Sequence, residues 1–259
     1  MRFVCVAATA ALFAFTAHAN EFTLEETVTA DVVQGDAVQV VNVSGDIHVK
    51  GSDSPGIEVS YIVTCETQED MDAVDVVYSI ENGISFSVEY CDGWERCGSC
   101  RVDFFVTAPS GTELEYELEN VNGKMILEGI YGLASVSLVN GVVEVNGFSG
   151  GLSVEVVNGD VSVEGASGLE SLAIVNGCVF LSVEELSEDL TIESVNASVS
   201  MKLLCDAAVF VETMSGMIDI DEGFSPEIER NTAGCSAVFG NGERKITVST
   251  LNGDIEITP

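Results

Sequence analysis

Residues 152–165 read LSVEVVNGDVSVEG, and the same sentence recurs through the second half of the chain. Leu152, Val154 and Val156 alternate with polar residues before Asn158-Gly159, and Val161 and Val163 alternate after it, while Glu155, Ser162 and Glu164 take the opposite face. Strands with one buried face alternate in this way. The corner tripeptide returns as Val121-Asn122-Gly123, Val139-Asn140-Gly141, Val157-Asn158-Gly159 and Val175-Asn176-Gly177, with successive Asn residues 18 apart. It continues more loosely at Val195-Asn196-Ala197, Met214-Ser215-Gly216 and a degenerate unit near Ala233-Gly234, and closes at Leu251-Asn252-Gly253. Repeats of this period mark a stacked architecture.

Two all-β architectures fit. In a β-solenoid of 18–19-residue coils, eight coils stack in succession and equivalent residues face one another. Asn122, Asn140, Asn158, Asn176, Asn196 and Asn252 then form a ladder of side-chain amides. The alternative is a meander or barrel in which each Asn-Gly is a hairpin turn. Ala197 argues for the solenoid, because that turn needs positive φ where any Cβ is costly. No sustained helical period is present, and only Thr67–Ala73 reads as a helical turn.

Working outward, the N-terminal half begins on the same theme at Val43–Gly51 and then departs into longer alternating runs, with Glu81-Asn82-Gly83 reading as a true hairpin turn. Three segments follow: residues 1–19 as a secretory signal peptide, 20–112 as an elaborated β region that holds a first coil, a Cys cluster and a cap, and 113–259 as the regular repeat. The signal is read from Met1-Arg2, the apolar run Phe3–Phe15 and the small-x-small site Ala17-His18-Ala19. The expected product is an exported protein of the periplasm or cell surface, with no membrane-spanning segment after signal removal.

Of 259 residues, 43 are Asp or Glu and 9 are Lys or Arg, a net charge of −34; losing Arg2 with the leader gives 8 − 43 = −35. At 46% hydrophobic the chain still buries a core. The charge excludes nucleic acid as a partner, since Lys and Arg supply that affinity. It predicts weak association with divalent cations from charge alone. The outward acids Glu128, Glu144, Asp160, Glu164, Asp219, Asp221, Asp254 and Glu256 read chiefly as a solvated face that keeps a long sheet soluble. None sits in a loop with Ca²⁺-ligand spacing, so no metal or cofactor is expected.

Cys65, Cys91, Cys97 and Cys100 cluster in sequence, and an exported chain meets an oxidising compartment. The strands ending at Tyr90 and starting at Arg101, taken as neighbours, favour Cys91–Cys100 with Cys65–Cys97, though four cysteines permit three pairings. A structural Zn²⁺ is the rival use of the four thiols. Cys97-Gly98-Ser99-Cys100 resembles a redox motif but lacks the following helix that lowers a thiol pKa. Cys178, Cys205 and Cys235 fall in different coils and are expected not to bridge one another.

Trp94, inside the Cys loop, is the candidate contact residue; packing over the disulfides is its plainer role. His48, the single His after leader removal, has no nucleophile elbow beside it. The sequons at Asn42 and Asn196 coincide with repeat corners, which explains them without glycosylation.

The stretches VNVSGDIHVKGSDSPGIEVSYIV (41–63), CRVDFFVTAPSGTELEYELENVNG (100–123), VNGDVSVEG (157–165) and LNGDIEIT (251–258) resemble the bacterial putative-adhesin, or toast-rack, family over residues 36–258. The resemblance implies a β-solenoid-like fold, an extracytoplasmic location and no known enzymatic activity, and it carries over no catalytic residue. The functional expectation is a non-enzymatic envelope scaffold for adhesion or for binding a protein or glycan. A periplasmic scaffold or envelope-sensing module is the alternative. A polysaccharide-active enzyme would need paired carboxylates along an aromatic cleft, and the sequence offers no row of aromatics.

Overall fold

The computed structural model describes residues 9–10, 14–18, 21–81, 83–90, 100–221, 227–230 and 234–258. The chain divides into two compact units, Met1–Leu133 and Ala134–Pro259.

The second unit opens within β11 (Tyr131–Asn146) and continues through β12 (Ser149–Glu164), β13 (Leu169–Val183) and β14 (Leu190–Leu203). Each strand runs straight through its Asn-Gly or Asn-Ala corner and lies parallel to the next. Asn158 is level with Asn176 and Gly159 with Gly177; Asn176 is level with Asn196 and Gly177 with Ala197. Parallel pairing in this register makes the corners bends within stacked coils and excludes the hairpin meander. Leu152, Val154, Val156, Val161 and Val163 are all buried, so both arms of a coil turn their apolar side chains inward.

The corner glycines are fixed by close approach. Gly159 has φ +159°, and a Cβ there would lie 1.8 Å from the Gly141 carbonyl oxygen of the coil beside it. No side chain fits such a gap, and the backbone conformation itself favours glycine.

The end of the stack departs from simple succession. After β15 (Ala207–Ser215) and β16 (Ile218–Ile220), the chain passes through β17 (Glu227–Arg230) and β18 (Gly234–Phe239), which pair antiparallel with each other, β18 also lying antiparallel to β15. Gly234–Phe239, expected to belong to a degenerate unit of the repeat, is therefore no parallel coil. The last coil, β19 (Lys245–Asn252) and β20 (Ile255–Thr258), inserts between β14 and the β15–β16 coil, parallel to both. This puts Asn252 beside Asn196 and leaves Ser215, the corner without an amide, on the outer side.

In the first unit, β4 (Ala37–Ser44) and β5 (Ile47–Ser52) form a coil around Gly45, and β10 (Leu114–Glu128) lies parallel along both, with Asn122 level with Ser44. On the other side β8 (Gly83–Tyr90) runs parallel to β4, and β9 (Cys100–Pro109) parallel to β5. Beyond them the pairing turns antiparallel. β6 (Gly56–Cys65) lies on β9 and β3 (Glu21–Asp31) on β6, while β7 (Val74–Ser79) forms a hairpin with β8 whose Asn82 is outside the described residues. Two short strands in the expected leader, β1 (Thr9–Ala10) and β2 (Ala14–His18), lie antiparallel to β3. Helix α1 (Gln68–Met71) occupies the expected turn, capped by Thr67 Oγ1, which accepts from Asp70 N at 3.1 Å. The core centres on Tyr61, Phe86 and Phe104, whose ring centroids lie 5.8–6.1 Å apart.

The disulfide pairing differs from the sequence expectation. Cys65 bonds to Cys100, with a Cα–Cα distance of 4.2 Å. The expected pairing took the strands on either side of the Cys loop, β8 and β9, as neighbours. In the structure β8 lies on β4 and β9 on β5, and it is the β6–β9 ladder that sets Cys65 opposite Cys100. Consuming both sulfurs also removes the four-thiolate zinc site. Cys91, Trp94 and Cys97 lie outside the described residues. Cys178 and Cys205 carry free thiols, so no bridge joins the three C-terminal cysteines.

Candidate functional site: the outer face of the second unit

Two features run side by side across the coils of residues 134–258. The first is the corner amide ladder. Asn158 Nδ2 donates to Asn140 Oδ1 at 3.0 Å, Asn176 to Asn158 at 2.8 Å, Asn196 to Asn176 at 3.0 Å and Asn252 to Asn196 at 2.8 Å. Each inner Asn both donates and accepts, so the series propagates only if every rung is an amide. The interposed last coil continues it directly. Asn122 lies in the first unit, where its Nδ2 donates to the Val43 carbonyl at 3.4 Å.

The second feature was not singled out from the sequence. The residue just before each corner faces outward: Val139, Val157, Val175, Val195 and Leu251 are 37–44% exposed, and Met214 is 82% exposed. Register sets Val157, Val175, Val195, Leu251 and Met214 level with one another across β12, β13, β14, β19 and β15, and the Asn158–Asn140 amide bond puts Val139 beside Val157. The result is an apolar spine perpendicular to the strands. Two positions upstream on the same face a second row reads Ser137, Glu155, Ala173, Glu193, Ser249 and Glu212. Small side chains there open a trough of about 410 Å³, bordered by Val157, Val175, Val195, Ala173, Glu155 and Glu193. Paired apolar residues before the corner (Leu138-Val139, Val156-Val157, Ile174-Val175) carry the signal, since alternation can bury only one of each pair.

The acidic residues past the corner have structural work. Asp160 Oδ1 accepts the backbone N–H of Cys178 at 2.9 Å, and Asp254 Oδ1 accepts that of Met217 at 2.8 Å. In the first unit Asp46 Oδ1 does the same for Lys124 at 2.8 Å, while its other oxygen accepts from Arg101 at 2.7 Å. Arg101 also donates to Asp103 at 2.8 Å, which holds its guanidinium pKa up. One carboxylate thus ties each of these corners to the adjacent coil. His48 Nε2 lies 3.2 Å from Glu128 Oε2. Burial, with Asp206 and Glu185 nearby, pushes the Cys205 thiol pKa up, which opposes thiolate formation.

Both sequons are occupied by structure. Asn42 is buried, donating to the Val102 carbonyl at 2.8 Å, and Asn196 is a ladder rung. Among the described residues, no three His, Cys, Asp or Glu side chains are grouped to hold a metal ion, and no helix is long and apolar enough to cross a membrane.

Stacked parallel coils, amide-laddered corners and an open outer face define a solenoid-like β-repeat scaffold. Residues 134–258 match the Toastrack DUF4097 family. It is similar to a solved "putative cell adhesion protein" from Clostridium sporogenes, at 12% identity and TM-score 0.43, over 90% of this chain and 99% of that one. A "putative lipid binding protein" from Parabacteroides distasonis aligns at 13% identity and TM-score 0.42, over 91% and 97%. A "putative adhesin" from Bacteroides fragilis aligns at 11% identity and TM-score 0.39, over 90% and 96%. No curated protein matches the chain.

Proposed function

We propose that the chain is a non-enzymatic, exported scaffold of the cell envelope that presents the outer face of residues 134–258 for adhesion or for binding a protein or glycan. The observation that carries this reading is the apolar spine. Exposed apolar rows are marks of interaction surfaces, and this one is held at fixed spacing by backbone ladders and by the Asn amides beside it. Asp160 and Asp254 bind backbone rather than facing each other across a cleft, which favours a binding role over hydrolysis. The acidic excess attracts Ca²⁺ or Mg²⁺ diffusely, without a coordinated site.

The test is protease accessibility of the native protein in intact cells and in cells whose outer membrane has been opened. Cleavage in intact cells is expected for a surface adhesion scaffold. Protection until the membrane is opened overturns surface adhesion in favour of a periplasmic scaffold or sensing module, and protection in both cases overturns export.

A further inference from the structure

The spine also specifies what it takes. We infer that the trough of the second unit is a docking groove for a basic amphipathic α-helix of another protein, lying across the strands along the line of Val139, Val157, Val175, Val195, Leu251 and Met214. This rests on the reading of that face as a binding surface, and it adds the partner's chemistry.

Geometry argues first. Six rungs at the usual strand spacing of about 4.8 Å give a spine about 24 Å long. A helix laid along it offers one apolar contact per turn, every 5.4 Å or so, and roughly 16 residues cover the length. An extended segment in the same direction offers same-side residues about 6.6 Å apart and leaves its own N–H and C=O groups facing side chains. The backbone groups of these coils are already spent on one another, so such a segment finds no partners for its own. A helix arrives with its backbone satisfied.

Charge decides among the remaining occupants. Glu155 and Glu193 stand on either side of Ala173, about two strand spacings apart, and Glu212 lies at the end of the same row. A Lys or Arg on the helix can lay its methylene stem over Ala173 and Val175 and set its charge between the two carboxylates. Lys245, six residues before Leu251 and held over the Phe210 ring at 4.8 Å, lies at the far end of the arm and leaves the acidic character of the trough intact. A fatty acid or anionic lipid meets repulsion at these carboxylates. A second copy of the chain brings its own charge of −34 to the same face.

The experiment titrates the purified protein with a peptide of about 18 residues carrying a Leu seam at helical spacing flanked by Lys. A peptide of the same composition rearranged to period two serves as the comparison. The helical peptide is expected to bind about tenfold or more tightly than the rearranged one, and to lose about tenfold when Val157→Ser, Val175→Ser and Val195→Ser are combined, which leaves the charge unchanged. Glu155→Gln with Glu193→Gln is the second variant; it is expected to weaken the helical peptide by about threefold or more, while Asp219→Asn with Glu256→Gln on the other arm is not.

Equal binding of both peptides, or binding indifferent to the valines, would mean charge attraction alone and would overturn the proposal. Equally against it would be phosphatidylcholine vesicles that bind only when the valines are present, or a dimer in sedimentation that the triple variant dissolves. If peptide binding fails while intact cells still expose the protein to protease, the helix is wrong and the envelope scaffold stands. If binding holds in a protein shown not to be exported, the reverse follows.

Discussion

The two units solve the same problem, stacking coils around Gly corners, with opposite kinds of contact. In residues 134–258 the coils are near copies, so Val faces Val and Asn faces Asn, and the interior is almost wholly aliphatic. In the first unit each contact is made once. Tyr61, Phe86 and Phe104 pack edge to face, Cys65 is bonded to Cys100, and the antiparallel strands β3, β6 and β7 close the stack. A repeat stabilises by iteration and needs an end that does not repeat, or its open edge would recruit further strands. Within the first unit it is the antiparallel strands and these single contacts, and not iteration, that follow the parallel coil.

The largest expected break in this comparison is removal of the bridge. Cys65 and Cys100 are 35 residues apart, and closing a loop of that length contributes about 3–4 kcal/mol in the chain-entropy account. Cys65→Ala with Cys100→Ala is therefore expected to raise hydrogen exchange sharply in β3, β6 and β9, with β12–β14 much less affected. Comparable loss in both units, or none, would show that the bridge does not set the stability of the first.

What could be read beforehand follows the same division. The Asn-Gly period revealed the coils because iteration writes a contact into the sequence several times over. Parallel stacking followed from Ala197 and the constant spacing. The order of the final coils was hidden: a spacing of 18 or 19 says that Asn252 is a corner, but only the need of Asn196 for an amide neighbour places it before Ser215. The disulfide was misassigned because loop proximity suggested β8 beside β9, while the non-local β6–β9 pairing decided it. The spine was legible but passed over, since Val156-Val157 looks like emphasis of the apolar pattern when it is a break in it. Cys91, Trp94 and Cys97 gain nothing from this comparison, lying outside the described residues.

A smaller effect tests the iterative side. Asn176→Leu removes one amide that donates to Asn158 and accepts from Asn196. Two hydrogen bonds at about 0.5–1.5 kcal/mol each, discounted because the corner is exposed and water can substitute, predict a loss of about 1–2 kcal/mol. Denaturant unfolding of the variant measures it, and no loss would mean that the ladder contributes nothing to stability.

The smallest effect separates the units by chemistry alone. All five tyrosines, Tyr61, Tyr78, Tyr90, Tyr116 and Tyr131, lie in the first unit. Burial, and then the hydrogen bond its hydroxyl donates to Glu26, hold the Tyr61 pKa far above the ordinary phenol value, and burial alone raises that of Tyr116. A raised acid keeps its proton in the fold and releases it on unfolding. The stabilisation is therefore complete below the unfolded pKa of about 10 and declines as pH rises through it. At pH 10.5 each such tyrosine costs at most about 0.8 kcal/mol. Between pH 9 and 10.5, hydrogen exchange corrected for its intrinsic pH dependence should therefore rise in β6 and β10 and stay level in β12–β14. Tyr61→Phe with Tyr116→Phe should flatten the first without touching the second. An equal alkaline response in both units would trace it to repulsion among the carboxylates, which are spread over the whole chain, and not to the aromatic core of the first unit.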